Sequence, residues 1–157
     1  MRDAAPRSSG PEVVVYAARG STTTRRVRDE AGVADELAAG LGDEIEVVVF
    51  DGRAQTAPAD VVGLFRRATV VVGVHGAALA NALFCEPGAL IVELGPENPA
   101  ARHYEHLAQA AGLGYARVAL DASLAAADVA VDARRLAEVV ELVRARVRVE
   151  GGGRDEL

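Results

Sequence analysis

The sequence contains no lysine and no tryptophan, one cysteine and three histidines among 157 residues. All 17 basic side chains are therefore arginine. A single thiol, Cys85, excludes an internal disulfide framework and a cysteine-rich metal site. It sits in the apolar run Leu83-Phe84-Cys85 and reads as a buried thiol rather than a reactive one. No stretch approaches the ~18 consecutive apolar residues of a membrane helix, and the polar start over residues 1–10 is not a signal peptide. A basic excess is missing too. The net charge of -6 leaves no face able to neutralise phosphates as a general nucleic-acid binder must. Three motifs are also absent: Asp-x-Asp, the nucleophile elbow G-x-S-x-G and the dinucleotide fingerprint G-x-G-x-x-G. Their absence removes one common way of holding a metal-bound diphosphate, the Ser/His/Asp hydrolase reading, and the main support for a nicotinamide site.

What is present is ordinary globular composition, half hydrophobic and one quarter charged, in a length suited to one domain. Short apolar, β-branched runs at 12–17, 45–50, 69–73, 89–94 and 115–120 read as strands. They are continuous rather than alternating, as parallel strands covered on both faces are. Helix candidates lie near 27–40, 58–67, 77–84, 100–111 and 132–148. The last carries Leu136, Val139, Val140, Val143 and Val147 on one helical stripe. Five such units in series predict a doubly wound, Rossmann-like α/β domain over 11–149, with a parallel sheet in the order 2-1-3-4-5. The ends, 1–10 and 150–157, read as a disordered N-terminus and a flexible tail.

In such sheets ligands bind beyond the carboxyl ends of the strands, where the crossovers change face. The third strand candidate runs into Gly73-Val74-His75-Gly76-Ala77-Ala78 before an apolar helix. Small residues there allow close backbone approach, and a helix start offers unpaired N–H groups to an anion such as a diphosphate. His75 could add a hydrogen bond or a positive charge. The same residues also suit plain tight helix–sheet packing with His75 capping a turn. The loop after the first strand combines Arg19, a Gly/Ser/Thr run and the pair Arg25-Arg26, an anion-seeking set. Solvation at the surface is the alternative for either of the paired arginines. Glu93, near the end of the fourth strand, has the placement of a ribose-binding carboxylate, or of a solvated turn residue. His103 and His106 have the spacing of two metal ligands but no evident third, so no metal site is assigned.

The segment Val72-Gly73-Val74-His75-Gly76-Ala77-Ala78-Leu79-Ala80-Asn81-Ala82-Leu83-Phe84, followed by Pro87-Gly88-Ala89 and Ile91-Val92-Glu93-Leu94, resembles the C-terminal domain of family-61 glycosyltransferases. Arg19 and Arg25-Arg26 match the arginines of that family's upstream strand and helix start. The resemblance spans about residues 12–120. It implies the donor half of a GT-B arrangement, with an N-terminal domain, missing here, that carries the protein or glycan acceptor. It further implies inverting transfer from a UDP-sugar without a metal or other cofactor. Arg19, Arg25 or Arg26, Gly73, His75, Gly76 and Ala77 would then surround the diphosphate, His75 with a catalytic part, and Glu93 would face the ribose. Ala78 stands where glycine is common in the family, and Ala80 where threonine is. The C-terminal Arg154-Asp155-Glu156-Leu157 is close to an endoplasmic-reticulum retention signal. A secretory location follows if a longer protein supplies a signal sequence, and a cytoplasmic one otherwise. Two other readings remain open: a non-catalytic nucleotide- or protein-binding module of the same ancestry, and an unrelated Rossmann-like enzyme.

Overall fold

The computed structural model describes residues 10–20, 22–54, 56–96, 101–123 and 125–151, with side chains through 147. The retention-like end at 154–157 and the start at 1–9 lie outside the described residues.

Five parallel strands form the main sheet: β1 (Glu12–Ala18), β3 (Ile45–Asp51), β4 (Ala68–Val74), β5 (Leu90–Gly95) and β6 (Gly114–Ala119). Their order is β3-β1-β4-β5-β6, the order expected from the sequence. Burial explains the continuous apolar runs, because alternate side chains of each strand enter different cores. Val14, Tyr16, Val70, Val72, Val92 and Leu94 pack with Leu37, Val139 and Val143 from α1 (Glu30–Leu41) and α4 (Ala133–Gly151). Val13, Val15, Val71 and Ile91 pack on the other face with Phe65 of α2 (Pro58–Arg67), Leu79, and Tyr104 and Ala108 of α3 (His103–Ala111). Phe50 and Phe65 meet edge to face at 5.0 Å, a geometry worth ~0.5–1.5 kcal/mol beyond area burial. Gly40 lets α1 and α4 close: a Cβ there would stand 2.9 Å from Val140 Cγ2.

Three local expectations need correction. The run Ala77–Phe84 is a 3₁₀ helix, not an α-helix. Leu79 N–H donates to Gly76 O at 3.0 Å and Cys85 N–H to Ala82 O at 3.0 Å. Asn81 gives its side-chain amide to Ala78 O at 3.0 Å, so a side chain competes for a carbonyl that an α-helix would use internally. Helix α1 starts at Glu30 rather than at 27. Asp29, at φ 49°, caps it by accepting from Gly32 N–H. The arginine pair therefore does not open a helix. Arg26–Val27 forms a short strand, β2, parallel to β7 (Asp128–Val129), a pairing that no periodicity in two residues could signal. Helix α4 continues through Gly151, past the end of the helix candidate at 148.

From β1 the chain steps outward to β3, then returns across β1 to β4 and continues to β6. The switch point thus lies between the carboxyl ends of β1 and β4, where a ligand crevice is expected.

Candidate functional site

A cleft of about 320 Å³ opens at that switch point, within the size range of small-molecule sites. Its walls come from three places. Arg19 and Thr22 follow β1, Asp51 and Arg53 follow or end β3, and Ala77 and Asn81 belong to the first turns of the 3₁₀ helix. Ala77 and Ala78, as first-turn residues, have N–H groups with no intrahelical acceptor.

The loop after β1 is held from below. Glu30 accepts the backbone N–H of Arg19 at 2.7 Å and of Gly20 at 2.8 Å, and Tyr16 Oη–H reaches it at 3.4 Å. Burial first, then Glu30, raises the Tyr16 phenol above its ordinary range. Arg19 turns toward the 3₁₀ helix, with Nη2 donating to Thr24 O at 2.6 Å. A Cβ added at Gly76 would fall 1.8 Å from Arg19 Nη1. Gly76 is required there by proximity, since its φ of 173° is ordinary extended backbone. Arg25, at φ 52°, donates through Nε to His75 O at 2.9 Å. The β2–β7 pairing fixes this turn, because Arg25 N–H and Arg26 N–H donate to Ala126 O and Ala127 O at 2.7 and 2.9 Å. Arg19 and Arg25 thus converge on His75–Gly76, the link between β4 and the 3₁₀ helix. Arg26 does not: it is exposed and pairs with Asp128 at 2.8 Å.

The Arg19 guanidinium is pulled below its ordinary value, by burial first and then by the charge of Arg25, with Tyr104 and Glu30 acting in the opposite sense. An arginine does not deprotonate under such pressure. Arg19 Nε is moreover a buried donor that lacks a hydrogen-bond partner among the described residues, a cost that native structures tolerate chiefly where function asks for it.

His75 lies on the other side of the same loop, 8% exposed. Its N–H donates to Leu94 O at 2.8 Å, continuing the β4–β5 ladder by one residue. The ring stacks edge-on against Tyr104 at 5.3 Å and near His103 at 5.5 Å. Tyr104 Oη–H in turn donates to Gly76 O at 2.5 Å, and burial, then Glu93, raises this phenol above its ordinary range.

Glu93 departs from its expected place. It is 1% exposed, and both of its oxygens are engaged inside the protein. Oε1 accepts from His75 Nδ1–H, while Oε2 accepts from Tyr115 Oη–H and from Arg117 Nη2 at 3.4 Å. Arg117 also binds Tyr115 Oη at 3.0 Å and Ala101 O at 2.8 Å. Burial first, then Glu93, raises the Tyr115 phenol. A carboxylate accepting from three donors has no face left for a ribose. The reason is register: Glu93 lies opposite Gly73 in β4 and Arg117 in β6, inside the sheet rather than past its end. With Nδ1 so engaged, His75 Nε2 is the free ring nitrogen, making no hydrogen bond among the described residues.

Sequence reasoning found Arg19, Arg25, Gly76 and His75, which the structure brings together. It missed Glu30, Asp51, Arg53, Tyr104, Tyr115 and Arg117. For Asp51 a signal existed: an acid at the carboxyl end of the strand beside β1. His103 and His106 form no cluster of three potential metal ligands with other described residues. No described helix is long and apolar enough to cross a membrane.

Comparison with known proteins adds the following. A protein called protein O-linked-mannose beta-1,4-N-acetylglucosaminyltransferase 2 from Canis lupus familiaris is 38% identical over 96 residues, 60% of this chain and 16% of that one. Its namesake from Xenopus tropicalis is 46% identical over 46 residues, 29% of this chain and 8% of that one. The chain therefore spans less than a fifth of the length of these curated relatives. A carbohydrate acetylesterase from Sinorhizobium meliloti, Est24, has a TM-score of 0.44 at 11% identity, covering 88% of this chain and 99% of that one. That likeness bears on neither ligand nor activity. The sequence model of glycosyltransferase 61 matches residues 2–92, more than half of the chain and all of the Arg19–His75 site. The chain belongs to glycosyltransferase family 61.

Proposed function

We propose that this domain binds the nucleotide-sugar donor of an inverting, metal-independent glycosyltransferase in a GT-B arrangement. One observation carries the reading: Arg19 and Arg25 close on the His75–Gly76 loop, and beside it Arg19, Ala77 and Ala78 line a cleft at the switch point. The donor is a UDP-sugar, and the relatives' name makes UDP-N-acetylglucosamine the first to test.

In this reading the acceptor hydroxyl oxygen attacks the anomeric carbon as the bond from that carbon to the diphosphate breaks. UDP leaves with the electron pair, and the acceptor's proton passes to a base on the acceptor side. Charge grows on the leaving diphosphate, and fixed cations there lower the barrier most. Arg19 and the first-turn N–H groups of Ala77 and Ala78 supply that charge, with His75 beside them next to Gly76. Glu93 holds the imidazole from behind through Nδ1, a positioning part in place of the ribose contact. The acceptor, a protein or glycan, binds to an N-terminal domain. The whole enzyme works in the secretory pathway, in keeping with the protein O-linked-mannose chemistry in the relatives' name.

Isothermal calorimetry of UDP and UDP-N-acetylglucosamine against this chain tests the reading. Saturable binding that competes with pyrophosphate is expected. No binding of any nucleotide sugar, or of UDP, would remove it.

A further inference from the structure

The cleft has a second polar wall that the diphosphate does not use. Asp51 ends β3, the strand flanking β1 on the side away from β4, so it opens onto the same cleft as Arg19. Its exposed carboxylate lies over Gly20: a Cβ at that position would be 3.5 Å from Asp51 Oδ1. Gly20 has φ 56°, so this turn both needs glycine and leaves the carboxylate room. Oδ1 accepts Arg53 N–H at 2.9 Å, two residues on, which fixes the side-chain rotamer in an Asx turn. Oδ2 makes no hydrogen bond among the described residues and faces a lined cavity.

An ionised carboxylate repels a phosphate and accepts from hydroxyls. The cleft thus carries Arg19 and the first turn of the 3₁₀ helix at one wall and, at another, the carboxylate of Asp51 beside Arg53. A ligand anionic at one end and carrying hydroxyl donors at the other matches that division. A vicinal diol presents two such donors to one carboxylate. In open α/β sheets the acid at the end of the strand beside the first is well placed for a ribose. Glu93, buried and fully engaged, cannot serve.

We infer that Asp51 is the ribose-recognition residue of this domain, accepting hydrogen bonds from the 2′ and 3′ hydroxyls and so selecting ribonucleotide over 2′-deoxyribonucleotide donors. The inference rests on the nucleotide-sugar reading above and adds to it the determinant of the nucleoside end.

Calorimetric titration of UDP, 2′-deoxy-UDP and pyrophosphate into the wild-type chain, Asp51→Asn and Asp51→Ala tests it. The wild type is expected to prefer UDP over 2′-deoxy-UDP by about tenfold, the effect of roughly one hydrogen bond to a charged group. Asp51→Ala should bring the two nucleotides within about threefold of each other without weakening pyrophosphate. Asp51→Asn keeps the shape and the Arg53 N–H acceptor, and should fall between; it decides the matter if Asp51→Ala melts at a lower temperature. Equal wild-type affinity for UDP and 2′-deoxy-UDP would overturn the assignment. So would an equal loss of all three ligands in the Asp51 variants. If the wild type binds neither UDP nor pyrophosphate, the donor reading fails and the role of Asp51 with it. UDP binding without ribose discrimination removes Asp51 alone.

Discussion

His75 and Glu93, 18 residues apart in sequence, are joined across neighbouring strands through Nδ1 of the ring and Oε1 of a carboxylate that is 1% exposed. The pair ties the candidate site to the interior of the sheet, because the same carboxylate anchors Tyr115 and Arg117 on β6. Removing Glu93 leaves the His75 ring and the Tyr115 hydroxyl without their acceptor, while part-buried Arg117 keeps Ala101 O. Glu93→Ala should therefore cost about 1–3 kcal/mol of stability in urea unfolding. Nitrogen-15 NMR of the neutral imidazole provides a readout that plain destabilisation does not move. His75 should carry its proton on Nδ1 in the wild type and shift toward Nε2–H in the variant. A wild-type ring protonated mainly on Nε2 would contradict the pairing.

Arg19→Ala and His75→Ala should each weaken UDP binding by about 1–3 kcal/mol, the range for one hydrogen bond to a charged group. Arg26→Ala should have almost no effect, since Arg26 faces solvent and Asp128. Calorimetry on the four proteins checks this, and unchanged affinity in both Arg19 and His75 variants would leave only the fold standing.

Two glycines three residues apart, Gly73 in β4 and Gly76 in the link that follows it, should behave differently. At Gly76 the obstacle to a Cβ is the end of the Arg19 side chain, at 1.8 Å, which can swing away. Gly76→Ala is thus expected to mimic Arg19→Ala in UDP affinity while melting close to the wild type. At Gly73 the obstacles are Ala17 O at 3.0 Å, together with Ala17 Cβ and Leu79 Cδ2 at 3.1 Å, all inside the packed sheet. Gly73→Ala should cost about 1–3 kcal/mol by overpacking, seen in thermal or urea melts.

Ligand affinity should not depend on a divalent ion, because arginine and helix-end N–H groups take the place of the metal in this reading. Titrations of UDP with Mg²⁺, with Mn²⁺ and with chelator are expected to agree within about twofold, a difference of less than 0.5 kcal/mol. Binding seen only with metal would show that the donor site has been drawn in the wrong place.

The purified chain should bind nucleotide sugar yet transfer almost none of it. Holding donor and acceptor together accounts for roughly 7–11 kcal/mol of a transfer barrier, and the acceptor surface is assigned to another domain. Robust transfer to a mannosylated peptide by this chain alone would contradict that division of labour.

Strands β1 and β4 were legible because each is a β-branched run covered on both faces, as at 69–73, and the sheet order followed from the switch-point rule. The loop motif around His75 and the arginines was legible because small residues and cations at strand ends are rare enough to notice. What stayed hidden depends on register and distance. Nothing local tells that Glu93 sits opposite Gly73 rather than one residue further out, a shift that decides between solvent and core. Nor does local sequence reveal that Asn81 diverts a carbonyl and tightens a helix, or that Arg26 finds its partner 102 residues away.

That last pairing has a consequence for the order of assembly. The Arg25 turn takes its shape from Ala126–Val129, a segment synthesised after every strand of the main sheet. A chain ending at β6 would lack the backbone partners that aim Arg25 at His75, and with them α4, which covers one face of the sheet. Contacts this distant in sequence form against loop-closure entropy, so the Arg25 turn and the α4 face of the core are completed by the same C-terminal stretch.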